Sequence, residues 1–339
     1  VQADVESLSV NPWLGSPGID GLSGRVIFQR DNGAFVLDSP SRLTLFFPKI
    51  YNQKHVFHKA SGELEWSVVR DRLLINGVNL SLQSLDGKVD YGAGFNLDAK
   101  IKKDAAPSNL RLEAGFTHAK LQELTDFVPL TLAGSLLTWI EQSGAAGTVN
   151  EGAFIYNGSL AKGDSENRNV QIYLNLEDAS ARYAPDWPPV EGLTGLLTIS
   201  PSQSTLTLSS AAVQGVDLYD AQIDIHTSES KSFIDIESKL ASNFSDALSF
   251  LQRTPAGVAV TGILGEWTGS GLLQEAALSL RVPLGNNERV LDDLKFTAEY
   301  VACIGACGMA PVIMVNDDTF GSLTVQKVDE VIAKYKGKR

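Results

Sequence analysis

Cysteine and methionine are almost missing from this chain of 339 residues, which has two of each. Cys303 and Cys307 lie four residues apart, Met309 and Met314 follow them, and the first 302 residues contain neither type. Two cysteines cannot form a framework of disulfides. We therefore expect the long first part of the chain to be indifferent to redox conditions, which suits an oxidising compartment as well as the cytosol.

Basic residues are also scarce, with 28 Lys and Arg against 40 Asp and Glu and a net charge of −12. This balance argues against binding to nucleic acid, because no basic stripe is present to neutralise phosphates. It also argues against electrostatic docking on an anionic membrane surface. The longest apolar run, residues 300–315, is interrupted by Gly305, Gly308 and Pro311 and is too short to cross a bilayer. We expect any membrane anchor to lie outside this sequence.

Signals for catalysis and for metal binding are weak. "KHVFHK" carries His55 and His58 without a third ligand nearby, so we predict a surface loop there rather than a metal site. His118 and His226 are isolated. The Gly-rich stretches have no Walker lysine and no dinucleotide spacing, and no nucleophile–base motif is present. The sequence therefore predicts a protein that is not an enzyme.

Strict alternation of apolar and polar residues dominates residues 1 to about 290. "SRLTLFFP", "GELEWSV", "STLTLSS", "DAQIDIHT" and "SFIDIESK" each place their apolar residues two apart. Successive side chains of a strand point to opposite faces, so each segment has one apolar face and one wet face. Such patterning is typical of antiparallel sheets. The predicted fold class is mainly β, a long antiparallel sheet with a few short helices.

Helical spacing is limited to short segments. Leu121, Leu124 and Val128 precede Pro129; "GSLLTWIEQSG" starts near Ser135 and stops at Gly144; and "SNFSDALSFLQRTP" has Ser242 or Asn243 as its cap. "YAPDWPP", at residues 183–189, predicts a rigid corner between strands. Helices this few and this short cannot cover so many apolar strand faces. The sheets must cover each other, close on themselves, or leave an apolar face for something else.

Four phrases in order carry a resemblance over roughly residues 1–290. "FVPLTLAGSLLTWIEQSGAAGTVNEGAFIYNGSLAKGD", "LEDASARYAPDWPPVEGLTGLLTIS", "ASNFSDALSFLQRTP" and "LSLRVPLG" resemble the YhdP family of AsmA-like proteins. The resemblance implies a protein of the Gram-negative envelope that is anchored in the inner membrane by an N-terminal helix outside this chain. It also implies a long, curved and twisted sheet in the periplasm and a role in phospholipid transport between the inner and outer membranes and in maintaining the outer-membrane barrier.

A trough formed by such a sheet would shield the acyl chains of phospholipids, which are the expected partners. Exposure to water costs a hydrocarbon chain about 0.8 kcal/mol per CH₂. The candidate lining residues are Leu43, Leu45, Leu64, Trp66, Leu206, Leu208, Ile223, Ile225, Ile234 and Ile236. The alternative is a closed sandwich in which these side chains pack against each other. A further alternative is an envelope scaffold that carries no lipid.

Periodicity, charge and Cys/Met usage all change near residue 295, which predicts two regions, 1–294 and 295–339. Residues 295–339 carry six basic and five acidic residues, in contrast to the acidic remainder. "VIMVNDDTFGSLTVQKVDEVIAKYKGKR" predicts a strand, an Asp-rich hairpin turn and a helix that starts at Thr324. The basic end of that helix suits the helix dipole.

The phrase "CIGACGMAPV" and the residues after it resemble the C-terminal part of the thioredoxin-like ferredoxin subunits of complex I and of NAD(P)-linked hydrogenases, of NuoE and HndA type. That resemblance implies that Cys303 and Cys307 supply two of the four thiolates of a [2Fe–2S] cluster. The sequence contains no other cysteine, so we expect no stable cluster and no bound cofactor. We interpret the chain as a fusion of two unrelated segments. The competing hypothesis is an electron-transfer subunit with an incomplete cluster site.

Overall fold

A computed structural model describes residues 1–13, 16–102, 104–130, 134–164, 166–183, 187–227, 232–254, 268–283, 313–315 and 318–320. The chain divides into two compact units, Val1–Leu284 and Gly285–Arg339. The described part of the second unit is an antiparallel hairpin, in which Ile313 pairs with Phe320 and Val315 with Asp318. The helix predicted from Thr324, and Cys303 and Cys307, lie outside the described residues.

The described strands of the first unit form one antiparallel sheet of fifteen strands, which confirms the mainly β fold class. They are β1 (Gln2–Val10), β2 (Gly18–Phe28), β3 (Asn32–Ser39), β4 (Leu43–Phe46), β5 (Lys54–Val69), β6 (Arg72–Ser84), β7 (Asp90–Lys100), β8 (Asn109–Lys120), β9 (Ala146–Ser159), β10 (Arg168–Ala181), β11 (Val190–Ile199), β12 (Ser204–Val213), β13 (Val216–Thr227), β14 (Ser232–Asn243) and β15 (Leu272–Pro283). The hairpin of the second unit is β16 (Ile313–Val315) and β17 (Asp318–Phe320).

The sheet is a meander in which each strand pairs with its neighbours in sequence. The exception is the position between β2 and β5, which β3 and β4 share end to end because β3 pairs with one half of each neighbour and β4 with the other half. Pro40 lies at the break between them. Proline has no N–H to donate to a ladder, so it interrupts the strand there.

The register gives the sheet two chemically different faces. Residues directly opposite each other in an antiparallel ladder point to the same side. One continuous row consists of Tyr91, Phe116, Gly152, Leu174, Leu197, Leu206, Ile223 and Ile236. The neighbouring row on the other side consists of Ser81, Gly92, Gly115, Ala153, Tyr173, Thr198, Thr205, Asp224, Asp235 and Arg281. We call these sides the apolar face and the polar face.

The described helices lie at one end of the strands. They are α1 (Leu121–Leu124), a 3₁₀ turn (Thr125–Phe127), α2 (Gly134–Ser143) and α3 (Phe244–Arg253). We call this end the helical rim, since β8 and β14 finish there at Lys120 and Asn243, and the other end the open rim, where β2 and β5 finish at Phe28 and Val69. Asn243, one of the two predicted caps, is the N-cap residue of α3, but its side chain makes no capping hydrogen bond to the backbone and its amide donates to the Asp246 carboxylate instead.

The strands bend near the helical rim. Five non-glycine residues inside strands have positive φ: Ser7, Asn79, His118, Asp178 and Asp220, with φ between 48° and 56°. At all of them except His118 the pairing register shifts, which marks a β-bulge. A bulge bends its strand and increases the local twist. Because these residues lie toward the same end of their strands, the sheet curves there.

Aromatic rings lie over glycines of the adjacent strand on the apolar face. A Cβ added to Gly33 would meet Trp66, one on Gly77 would meet Phe95, and one on Gly152 would meet Phe116. Each ring thus covers the backbone of a glycine, which has no side chain to shield it. On the polar face, Gly92 has nothing within 4 Å of an added Cβ.

The ring-over-glycine packing predicts a coupled pair of substitutions. Gly152→Ala should lower the free energy of unfolding by about 1–3 kcal/mol, because the methyl group overlaps the Phe116 ring. In the background of Phe116→Ala, the same substitution should cost far less, which is non-additivity between residues in contact. Gly92→Ala is the matched control and should be neutral. Urea unfolding measures all four variants, and additive effects at Gly152 and Phe116 would contradict the packing.

The bulge at Asp178 predicts an unusual order of stabilities. Asp178→Val should cost about 1–3 kcal/mol, because a β-branched residue is strained at φ near 48°. Asp178→Gly should leave the stability unchanged or raise it, since glycine adopts this φ freely. Glu177→Val, one residue away in an extended and exposed position, is the control and should cost little. Equal midpoints of urea unfolding for the valine and glycine variants at residue 178 would rule out the strain.

Candidate functional site: the apolar face

The register places all ten predicted lining residues on the apolar face. Six of them adjoin on β12, β13 and β14, where Leu206 pairs with Ile223 and Ile223 with Ile236. The other four, Leu43, Leu45, Leu64 and Trp66, lie on β4 and β5. Leu43 and Leu208 are buried, at 2% and 3% exposure, and the remaining eight are half-buried.

The two groups are joined by residues that the sequence analysis did not nominate. The intervening strands contribute Ile75, Phe95, Leu97, Leu110, Leu112, Phe154, Tyr156, Ile172 and Leu174 to the same face. The signal was present in part, since "NLRLEAGF" alternates in the same way as the nominated segments, whereas in "FIYNGS" three apolar residues are consecutive. The apolar face therefore runs without interruption from one group of predicted lining residues to the other.

Charge is nearly excluded from this face. Among the described residues that the register places there, Arg168 alone carries a permanent charge. It lies at the open rim, and its guanidinium donates from Nε to the Ser159 carbonyl at 2.9 Å and from Nη2 to the Ala161 carbonyl. The positive charge is thus used locally to close the hairpin between β9 and β10.

Cover over the apolar face is uneven. Near the helical rim, Val149, Leu176, Ala179, Leu193, Leu208, Ala211 and Ala221 form a buried cluster. Toward the open rim, Phe28 and Val68 of the same face are 43% and 42% exposed. In the described part of the first unit all strands belong to one sheet, so these side chains do not pack against a second sheet as a sandwich would require. The face is closed along one rim and accessible along the other.

An aromatic cluster lies around His55 at the helical rim. Its ring stacks on Phe127 at 4.6 Å between centroids and meets Tyr51 edge-on at 4.7 Å. Tyr91 connects Phe127 to Phe57 and Phe116. Burial raises the pKa of Tyr51. It also raises the pKa of Tyr91 to about 12, with smaller contributions from the charges of Glu123, Asp86 and Asp126.

The prediction that "KHVFHK" forms a surface loop is wrong. These residues lie inside β5, and His55 is 7% exposed. His55 is opposite Leu45 in the ladder and therefore belongs to the apolar face. His55 and Phe57 are two residues apart and lie on the same face of β5. The alternation was not recognised because one of its apolar-face positions is occupied by a histidine, which is usually a polar residue. His58 is exposed.

The other two histidines have structural surroundings. His118 has a positive φ where β8 bends. His226 stacks on Phe233 at 4.6 Å, and the Arg281 guanidinium lies over the Phe233 ring at 4.3 Å while bonding Asp235 at 2.6 and 2.9 Å. This group joins β13, β14 and β15 on the polar face. The described residues contain no group of three side chains able to hold a metal ion.

The described ends of the "YAPDWPP" segment lie at the helical rim between β10 and β11. Trp187 is 5% exposed and lies between Tyr183, at 5.8 Å, and Phe250 of α3, at 6.5 Å. Burial raises the pKa of Tyr183. Trp187 therefore packs against α3 and helps to cover the apolar face at the helical rim. No described helix is long and apolar enough to cross a membrane.

Two family models match the sequence, and their matches overlap over residues 272–299. Residues 272–336 match the family described as thioredoxin-like [2Fe-2S] ferredoxin. The chain is 43% identical to an NADH-quinone oxidoreductase subunit of Rickettsia felis over 44 residues, which is 13% of this chain and 26% of that protein. It is 30% identical to the NADP-reducing hydrogenase subunit HndA of Solidesulfovibrio fructosivorans over 56 residues, 16% of this chain and 31% of that protein.

The chain thus spans about a quarter to a third of the length of these curated relatives. No solved structure matches it. The family described as YhdP protein matches residues 1–299, which include the whole fifteen-stranded sheet. The chain therefore belongs to the YhdP family, a group of AsmA-like envelope proteins.

Proposed function

We propose that the apolar face shields the acyl chains of phospholipids while they cross the aqueous space between two membranes. The observation that supports this most is a continuous apolar surface that its own chain leaves half-exposed. Monomeric soluble proteins rarely expose a large contiguous apolar surface without a partner. The family supports a place in the cell envelope, where lipids are the abundant apolar ligands.

The energetics suit a passive carrier. A chain of sixteen carbons in water costs roughly 12 kcal/mol relative to hydrocarbon surroundings. Contact with Leu, Ile and Phe side chains removes most of this cost without any directed bond, so no catalytic residue is required. Fourteen strand positions at about 4.8 Å each give a sheet roughly 60 Å across. That is about twice the thickness of the hydrocarbon core of a bilayer.

The polar face and the rims complete the proposal. Acidic and hydroxyl side chains such as Asp224, Thr205 and Glu237 keep the outer side in water. The open rim gives a chain access to the apolar face from the side, and the helical rim keeps water out along the other side. We place this region in the periplasm of a Gram-negative cell, held at the inner membrane in the full-length protein.

The second candidate is electron transfer by a [2Fe–2S] subunit, which the C-terminal similarity favours. Such a cluster needs four ligands, and the chain has two cysteines. The donor set does not fit the cluster, so we propose no electron-transfer step.

Lipid binding is tested by extracting the purified chain and identifying lipids by mass spectrometry. We expect phospholipid to copurify. Leu206→Asp, Ile223→Asp and Ile234→Asp should each reduce it about tenfold or more, because a desolvated carboxylate opposes hydrocarbon contact. Thr207→Asp, the next residue on the polar face, is the matched control and should retain lipid. Circular dichroism verifies the fold.

Two outcomes would contradict the proposal. A lipid-free wild type that cannot take up lipid from vesicles would leave the scaffold hypothesis. Folded aspartate variants that carry as much lipid as the Thr207→Asp control would show that the lipid does not touch this face.

The cluster expectation has its own test. After anaerobic reconstitution with iron and sulfide, we expect no visible charge-transfer bands and no iron that survives gel filtration, since two thiolates do not hold a [2Fe–2S] cluster. Cys303→Ser should give the same spectrum as the wild type. A stable absorbing species that is lost in Cys303→Ser would overturn this expectation and revive the electron-transfer hypothesis.

A further inference from the structure

A short segment covers the aromatic part of the apolar face. We call residues 121–130, which comprise α1, the 3₁₀ turn and the three residues after it, the lid. Leu121 and Leu124 pack against the buried cluster of β9 to β13. Phe127 reaches across to β5 and β7, where it contacts His55 and Tyr91.

The second half of the lid is tied to the loop between β4 and β5. The Leu130 N–H donates to the Ile50 carbonyl at 2.9 Å, and the Gln53 side chain donates to the Asp126 carbonyl at 3.3 Å. Neutral hydrogen bonds of this kind are individually weak in water, because each replaces a bond to solvent. The lid is therefore held mainly by its apolar side chains and by the ring stack on His55.

His55 is the titratable residue in this otherwise apolar contact. It is buried between Tyr51 and Phe127, and among the described residues its Nε2 atom has no hydrogen-bond partner. In a neutral imidazole, Nε2 can be the nitrogen that carries no proton. An imidazolium at the same place would carry an N–H at Nε2 that is removed from water and has no acceptor.

The charged groups around His55 do not provide a buried counter-ion. Asp126 on the 3₁₀ turn and Glu123 on α1 are exposed, as are Lys54 and His58 on its own strand. Tyr51 and Tyr91 remain neutral near pH 7, since burial raises the pKa of both. Burial lowers the pKa of His55, and the charge of Asp126 opposes this to a smaller extent.

We propose that the lid is a pH-sensitive cover, which opens when His55 takes up a proton and so exposes the aromatic floor formed by Phe57, Tyr91 and Phe116. The unfolded or open state binds the proton more readily than the closed state. The closed state is therefore fully stable above about pH 6.5, the ordinary pKa of histidine, and loses stability as the pH falls below it. The consequence for lipid rests on the proposed function, because the exposed floor continues the apolar face.

The test is hydrogen exchange at the Val128 and Leu130 amides of the purified chain between pH 7.5 and 5. Protection factors, taken relative to the intrinsic rate at each pH, should fall by up to about tenfold per pH unit below about 6.5. His55→Phe preserves the ring stack without titrating, so its protection should not change with pH. His58→Phe, three residues further along β5 and exposed, should behave as the wild type.

A second variant and a direct titration keep the test decisive. Asp126→Asn removes the negative charge that favours a protonated His55 ring and partly offsets the effect of burial. Protonation should then destabilise the closed lid more, so the Val128 and Leu130 amides of this variant should lose more protection at acid pH than those of the wild type. In the wild type, the His55 ring resonances and the Leu130 amide should titrate with one midpoint, which is measurable even if His55→Phe does not fold. Unchanged wild-type protection between pH 7.5 and 5, or the same fall in folded His55→Phe, would overturn the lid proposal.

Lipid uptake measured at pH 7.5 and 5 separates the two proposals. If the lid opens in acid and the lipid content does not change, the lid stands and the link to lipid fails. If the protein carries no lipid at either pH, the proposed function fails while the exchange result still decides the lid.

Discussion

The structure depends on one constraint, which is that a strand alternates its side chains between two sides. Once every strand carries its apolar residues two apart, the ladder collects them on one face, whatever the order of the strands. A shift of one residue in the register of any pairing would move all the side chains of that strand to the opposite face. The ladder from Tyr91 through Phe116, Leu174 and Leu206 to Ile236 holds this alignment from β7 to β14. A single-layer sheet of this kind produces a large apolar surface that short helices cannot cover.

The bulges and the ring-over-glycine pairs determine what kind of surface results. Bulges such as those at Asn79 and Asp178 bend the strands near the helical rim, and there the helices and Trp187 bury the face. Beyond that line the rings of Trp66 and Phe95 lie over glycines. Where it is not covered, the face is thus packed without gaps but half-exposed, which is the form that the proposed function requires.

The sequence predicted the sheet because period-2 patterning is a local property. Leu206, Ile223 and Ile236 could be assigned to one face from the alternation alone, and they pair directly in the ladder. The surroundings of His55 could not be predicted, because they depend on Phe127, which is more than seventy residues away in the sequence. The bulges could not be predicted for a similar reason, since Asp178 is an ordinary polar residue in the sequence and its positive φ accompanies a register shift between neighbouring strands. Cys303 and Cys307 were found by composition and lie outside the described residues.

Charge separates the two segments of the chain as clearly as the strand pattern does. The acidic excess belongs to residues 1–294, since the last 45 residues are nearly neutral. On the sheet, the acidic side chains lie on the polar face, and Arg168 is the one permanent charge that the register places on the apolar face among the described residues. A surface divided in this way repels anionic headgroups from its outer side and offers the other side to hydrocarbon. Under the proposed function, an acyl chain on this sheet would be held by burial rather than by electrostatic attraction of its headgroup.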